Sequence, residues 1–122
     1  MREALPLQDR VPVPPAEIRV EGIGVNALDA HRVDVAVDLS PCREAVDVEM
    51  VIVGPDDEEL SSIVLVRNCE WMLDKIMHVR RATVPGRDIE PGEYTLHVGV
   101  FYEKELVAQA AKVFRFPPAE SG

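Results

Sequence analysis

Aromatic residues are scarce in this chain: Phe, Trp and Tyr make up 5% of its 122 residues. Any core must therefore be built from Val, Leu, Ile and Ala, and that β-branched bias favours strands, because branched side chains pack well on a pleated surface. Cysteine is scarcer still. Cys42 and Cys69 are the only two, too few for the dense disulfide framework of a small secreted scaffold. The side-chain amides are limited to Gln8, Asn26, Asn68 and Gln109; with abundant charge, that is the composition of heat-adapted proteins. No apolar run approaches the ~20 residues of a membrane helix. The opening "MREALPLQDRVPVPP" has no apolar leader core, so a cytoplasmic chain is expected, with export the alternative if Met1 is foreign to it. Basic residues cluster only at Val79-Arg80-Arg81. A net charge of −9 repels phosphate backbones and anionic lipids, which argues against nucleic-acid binding and membrane insertion.

Catalytic patterns are missing too. No HExxH, no Ser-His-Asp order and no phosphate-binding glycine loop appears. "GIGVNA" carries two glycines but opens no strand–helix unit, so it holds no nucleotide signal. His31, His78 and His97 are spread along the chain, and the last two fall on strands expected in opposite sheets, so no metal centre or general base converges. "Asp56-Asp57-Glu58-Glu59" is acidic, but neighbouring carboxylates on one turn point apart, whereas Ca²⁺ needs six to eight converging oxygens. A solvated hairpin turn is the simpler reading. Neither an enzyme nor a cofactor is expected.

What is present is period-two alternation. "HRVDVAVDL" sets Val33, Val35, Val37 and Leu39 on one face and Arg32, Asp34 and Asp38 on the other, the mark of a half-buried strand. Similar stretches place about seven strands near 18–25, 31–39, 46–53, 60–67, 75–83, 94–102 and 106–116. Gly22 and Gly24 predict a bulge or kink in the first. "NCEWMLD" reads as a corner before the fifth. Pro6, Pro12, Pro14 and Pro15 suit an extended N-terminal tail over 1–16. A sandwich domain is expected over 17–116 and a second tail over 117–122.

The stretch "Ile89-Glu90-Pro91-Gly92-Glu93-Tyr94-Thr95-Leu96-His97-Val98" resembles the E–F corner of immunoglobulin-like and fibronectin-III-like sandwiches. The resemblance implies an all-β, antiparallel immunoglobulin-like sandwich. It implies that Pro91 presets the turn, that Gly92 takes the conformation a tight turn demands, and that the Tyr94 hydroxyl returns to the corner backbone. Leu96, Val98 and Val100 then face the core, and Thr95 and His97 face out. The antibody-type cysteine pair and strand-C Trp are absent, so the likeness is to the broad class, which hosts many functions.

Antiparallel reversal sorts the loops onto two poles. One pole collects Pro41, Cys42, Arg43, Glu44, Asn68, Cys69, Glu70, Trp71 and the "YEKE" tip after strand six. Cys42 and Cys69 there read as two reduced thiols, as a disulfide, or as part of a metal site that lacks two more soft ligands and has no nearby His. Trp71 reads either as a plug over the open end of the core or as a contact residue, with Asn68 and Tyr102 beside it. Val51, Val53, Ile63 and Leu65 put apolar residues on both faces of strands three and four. An apolar outer face needs a cover. Ala108, Ala110 and Ala111 give the last strand small sides that a partner strand could approach. The function expected is a non-enzymatic protein-interaction module, an accessory subunit or homo-oligomer. The alternative is a small-ligand or carbohydrate-binding module at the Trp71 pole.

Overall fold

The alternation becomes seven strands in the computed structural model, which describes residues 11–29, 31–79 and 92–116. They are β1 (Val20–Ala27), β2 (Arg32–Leu39), β3 (Val46–Val53), β4 (Glu59–Asn68), β5 (Met72–His78), β6 (Gly92–Tyr102) and β7 (Glu105–Phe116). They form two antiparallel sheets, ordered β1-β2-β5 and β4-β3-β6-β7. The architecture is an all-β sandwich, compatible with the immunoglobulin-like class that the corner motif resembles.

The core is aliphatic, as the composition requires. Val33, Val35, Val37 and Leu39 of β2, Val48, Met50 and Ile52 of β3, and Leu96, Val98 and Val100 of β6 are buried in one cluster. These are the central strands, and each spends one face on the core. Three of the six aromatics gather at one place instead. Tyr94 lies edge-on to Phe116, ring centroids 5.5 Å apart, and Phe114 tilts against both. Such offset rings add to their area burial.

The predicted irregularity of β1 is a bulge. Register slips between Val20 and Gly22, and Ser40 stitches the break. Its Oγ accepts the Arg19 N–H at 3.0 Å and donates to Glu21 Oε2 at 2.9 Å. Its own N–H donates to the Arg19 carbonyl. Ahead of β1, Val13 forms a parallel bridge to Cys42, and Pro15–Glu17 make one 3₁₀ turn with Pro15 buried.

Three expectations need correction. β5 begins at Met72, not near 75, so half of the supposed corner is strand: Met72, Leu73 and Asp74 pair with Asp38, Val37 and Ala36. Gly92 is not a turn residue. It opens β6 opposite Phe116, and its missing Cβ leaves room for the Pro55 ring, which a Cβ would meet at 3.4 Å. Ile63 and Leu65 pack toward the core, opposite the buried Met50 and Val48, so the outward residues of β4 are Ser62, Val64 and Val66. Pro91, Arg80 and Arg81 lie outside the described residues, as does the rest of the corner, residues 80–90.

Candidate functional site

Directly paired residues of an antiparallel ladder share a face, so the register maps each outer surface. On the three-stranded sheet, β2 turns out Arg32, Asp34, Ala36 and Asp38, and β5 turns out Met72, Asp74, Ile76 and His78. This face is acidic. Asp34 and Asp74 stand diagonally across the β2–β5 ladder, and the hydrogen bond between their carboxyls, helped by partial desolvation and by the Asp74 charge, raises the Asp34 pKa above its ordinary value. Among the described residues no group of acidic, His or Cys side chains could hold a metal ion.

The outer face of the four-stranded sheet has a different chemistry. Successive rows across it read Asp47–Phe101–Leu106, Val64–Glu49–Gly99–Gln109, Ser62–Val51–His97–Ala111 and Val53–Thr95–Val113. Val64, Val66, Leu106 and Val113 are exposed. Over Gly99 the surface dips into a trough walled by Phe101, Leu106, Gln109 and Ala111, with Glu49 and His97 at its rim. The dip exists because Gly99 has no side chain: a Cβ there would lie 3.0 Å from the Phe101 ring. Val51 belongs to this face, and Leu65 does not.

The Trp71 pole forms as the loop sorting predicts. Cys42, Glu44, Asn68, Cys69 and Trp71 line one crevice. Tyr102 Oη donates to Glu44 Oε1 at 2.7 Å, tying the β6–β7 end to the loop before β3. That bond to a carboxylate, then partial loss of hydration and the neighbouring Glu103, pushes the Tyr102 pKa up to about 12. Asn68 Nδ2 donates to the Glu70 carbonyl. Trp71 is half-buried against the core, and its carbonyl accepts the Leu39 N–H at 2.8 Å. The crevice measures about 10 Å³, room for about one water. Cys42 and Cys69 are both free thiols, the second exposed. Sequence reasoning placed these residues together but left out the Tyr102–Glu44 bond, whose only trace is an acid and a tyrosine at one pole.

His78 and His97 sit in different sheets, as expected. The acidic turn after β3 is a hydrogen-bonded loop: the Gly54 N–H donates to the Glu58 carbonyl, the Asp57 N–H to the Gly54 carbonyl, and Asp57 takes φ 65°.

No protein-family profile matches the chain. No curated protein sequence matches it either. Solved structures do. A glycosyl hydrolase family 2 member from Bacteroides cellulosilyticus superposes with a TM-score of 0.60 at 11% identity, over 80% of this chain and 14% of that one. Parabacteroides merdae β-glucuronidase gives 0.59 at 16%, over 81% of this chain and 14% of that one. Pseudomonas fluorescens alkylpurine DNA glycosylase AlkC, bound to DNA containing an abasic site analog, gives 0.50 at 18%, covering 81% and 30%. The chain thus spans about one seventh of the length of the first two. At these identities the likeness is one of fold, a sandwich that recurs as a small part of larger proteins.

Among the described residues no helix is long and apolar enough to cross a membrane.

Proposed function

We propose that this domain is a non-catalytic protein-binding module, an accessory part of a larger assembly or of a homo-oligomer. The observation that carries the proposal is the asymmetry of its two outer faces. The three-stranded sheet sets its exposed Met72 and Ile76 among Arg32, Asp34, Asp38, Asp74 and His78. The four-stranded sheet exposes Val64, Val66, Leu106 and Val113 around Val51, Val53 and Phe101. An outer sheet face normally carries polar side chains; this one carries apolar residues on all four strands, interrupted by Asp47, Glu49, His97 and Gln109, and an exposed apolar patch rimmed by polar groups is the mark of an interaction surface. The net charge of −9 supports a protein partner over a nucleic acid. The solved structures above add support of a weaker kind, since there the same fold is a part built into larger chains.

A carbohydrate site at the Trp71 pole draws less support. Two of the similar structures are named as glycosidases, but a sugar ring needs an open platform, and here Trp71 borders a crevice of about 10 Å³ with Asn68 and Tyr102 already hydrogen-bonded within the pole.

The test compares the wild-type chain with Val113→Lys, which charges the apolar face without touching the core. Both are purified from the native host under low and high salt, and their masses are read by light scattering. A stoichiometric complex that survives high salt in the wild type is expected, and a complex with another protein seated on the sheet face falls apart in Val113→Lys. A wild-type chain that stays alone and monomeric throughout would overturn the proposal.

A further inference from the structure

A sandwich of two open sheets has four edge strands, here β1, β5, β4 and β7, and exposed edges invite pairing unless something blunts them. β1 and β7 lie against each other on one side of the sandwich, and β1 carries the bulge at Val20–Gly22. β7 sets Lys112 directly opposite the buried Leu96, so a charge occupies an inward position of that edge. β5 uses the same device: Lys75 stands opposite the buried Val35. An inward charge at an edge cannot be covered by an incoming strand without desolvation.

β4 has its bulges only near its two ends, at Glu59 and Arg67, and no inward charge between them. Its inward positions are Ile63 and Leu65, its outward ones Ser62, Val64 and Val66, and from Leu60 through Val66 it holds no charge. Val64 is 54% and Val66 67% exposed. Among the described residues no strand lies along its free side.

We infer that β4 is a self-pairing edge: two copies of the chain join β4 to β4 antiparallel about a two-fold axis at Val64, making one eight-stranded sheet. This deepens the protein-binding reading and rests on it. The register is self-complementary, as a two-fold contact must be. On the outer face Val64 meets its own copy and Ser62 meets Val66. On the inner face Ile63 meets Leu65. The occupant follows from charge. A chain at −9 repels its own copy except through an uncharged surface, and β4 is uncharged at its centre. A basic partner, which the net charge would attract, finds no carboxylate on β4 between Leu60 and Val66; the nearest, Glu49 beside Val64, lies one strand in from the edge. The bulges near Glu59 and Arg67 confine the pairing to the flat stretch between them.

A residue on the two-fold axis faces its own copy, so a single cysteine there can crosslink to itself. The test uses the full chain with Cys42→Ser and Cys69→Ser, adding Val64→Cys in one version and Val113→Cys in another. Light scattering across a concentration series, before and after mild oxidation by glutathione disulfide, reads the mass. The parent is expected at twice 13.5 kDa, with oxidation locking Val64→Cys, and not Val113→Cys, into a covalent dimer. Val64→Lys in the wild-type background should leave a folded monomer with an unchanged circular-dichroism spectrum. A parent that is monomeric at all concentrations overturns the inference, and partner capture then still judges the broader reading. A dimer that Val113→Lys splits and Val64→Lys does not also overturns it, while leaving the apolar-face reading intact.

Discussion

Tyr102 Oη donates to Glu44 Oε1 at 2.7 Å across 58 residues of sequence, so the tip of the β6–β7 hairpin is latched to the loop that enters β3. The carboxylate accepts a hydrogen bond from the phenolic O–H and so keeps the proton on the tyrosine, which is why the Tyr102 pKa rises to about 12. The direction fixes a pH window. Folded and unfolded states both keep the proton below the ordinary tyrosine value of about 10, so the latch is fully present there. Its stabilisation is lost as pH climbs from about 10 through about 12. Ultraviolet titration should show Tyr102 ionising late. Glu44→Gln should bring that step down toward the ordinary value. A titration unchanged by Glu44→Gln would contradict the latch.

The Asp34–Asp74 pair runs the opposite way. Asp34 is raised because its proton bridges to Asp74, so the folded state binds that proton more tightly than the unfolded chain does. Stability therefore rises as pH falls through the raised Asp34 pKa toward the unfolded value, and the two charges oppose folding at neutral pH. Asp74→Asn should raise Tm at pH 7 and flatten its acid-side dependence. Thermal melts from pH 3 to 7 check both. A lower Tm for Asp74→Asn at pH 7 would show that the pair is not repulsive.

Ser40 tests the bulge. Its hydroxyl accepts the Arg19 N–H that the slipped β1 ladder leaves over, and the side chain is 5% exposed. Ser40→Ala strips that acceptor and should cost about 1–2 kcal/mol, the penalty of one poorly solvated donor. Denaturant unfolding reads the change. A cost within experimental error would mean that water replaces the hydroxyl.

How much of this was legible beforehand depends on periodicity. β2 and β6 alternate cleanly, and the sequence reading finds both their position and their inward faces; for β3, with Met50-Val51-Ile52-Val53 apolar in a row, it finds the position only. It fails where the pattern loses its period. Ile63-Val64-Leu65-Val66 offers four apolar residues in a row, which fit either face, so Leu65 was expected outside and lies inside. Lys75 hides the true start of β5, because a charge at an inward edge position breaks the alternation that would otherwise run through Leu73, Lys75 and Met77. The same residue argues that the edge is guarded. Local patterning thus places strands but is blind to edges, since which strand ends a sheet is decided by long-range pairing. A pair of substitutions tests the corrected faces: Leu65→Ala should cost about 2–3 kcal/mol from lost burial and a small cavity, and Val64→Ala no more than about 0.5 kcal/mol. Equal costs would restore the original assignment.

Trp71 closes the end of the core between the two sheets. The chain leaves β4 at Asn68 and enters β5 at Met72, so only three residues carry it across, and the Trp71 carbonyl is held by Leu39 at the end of β2. The indole is placed by that crossing and packs on the core. A side chain fixed in this way serves stability first. Trp71→Ala should cost about 2–4 kcal/mol, somewhat below the range for a fully buried aromatic, and Trp71→Phe should recover most of it. Trp fluorescence of the wild type should stay constant across a glycan panel, because a crevice of about 10 Å³ admits no ring. A saturable shift with any sugar, together with a Trp71→Ala variant of unchanged stability, would move the binding site from the apolar sheet face to this pole.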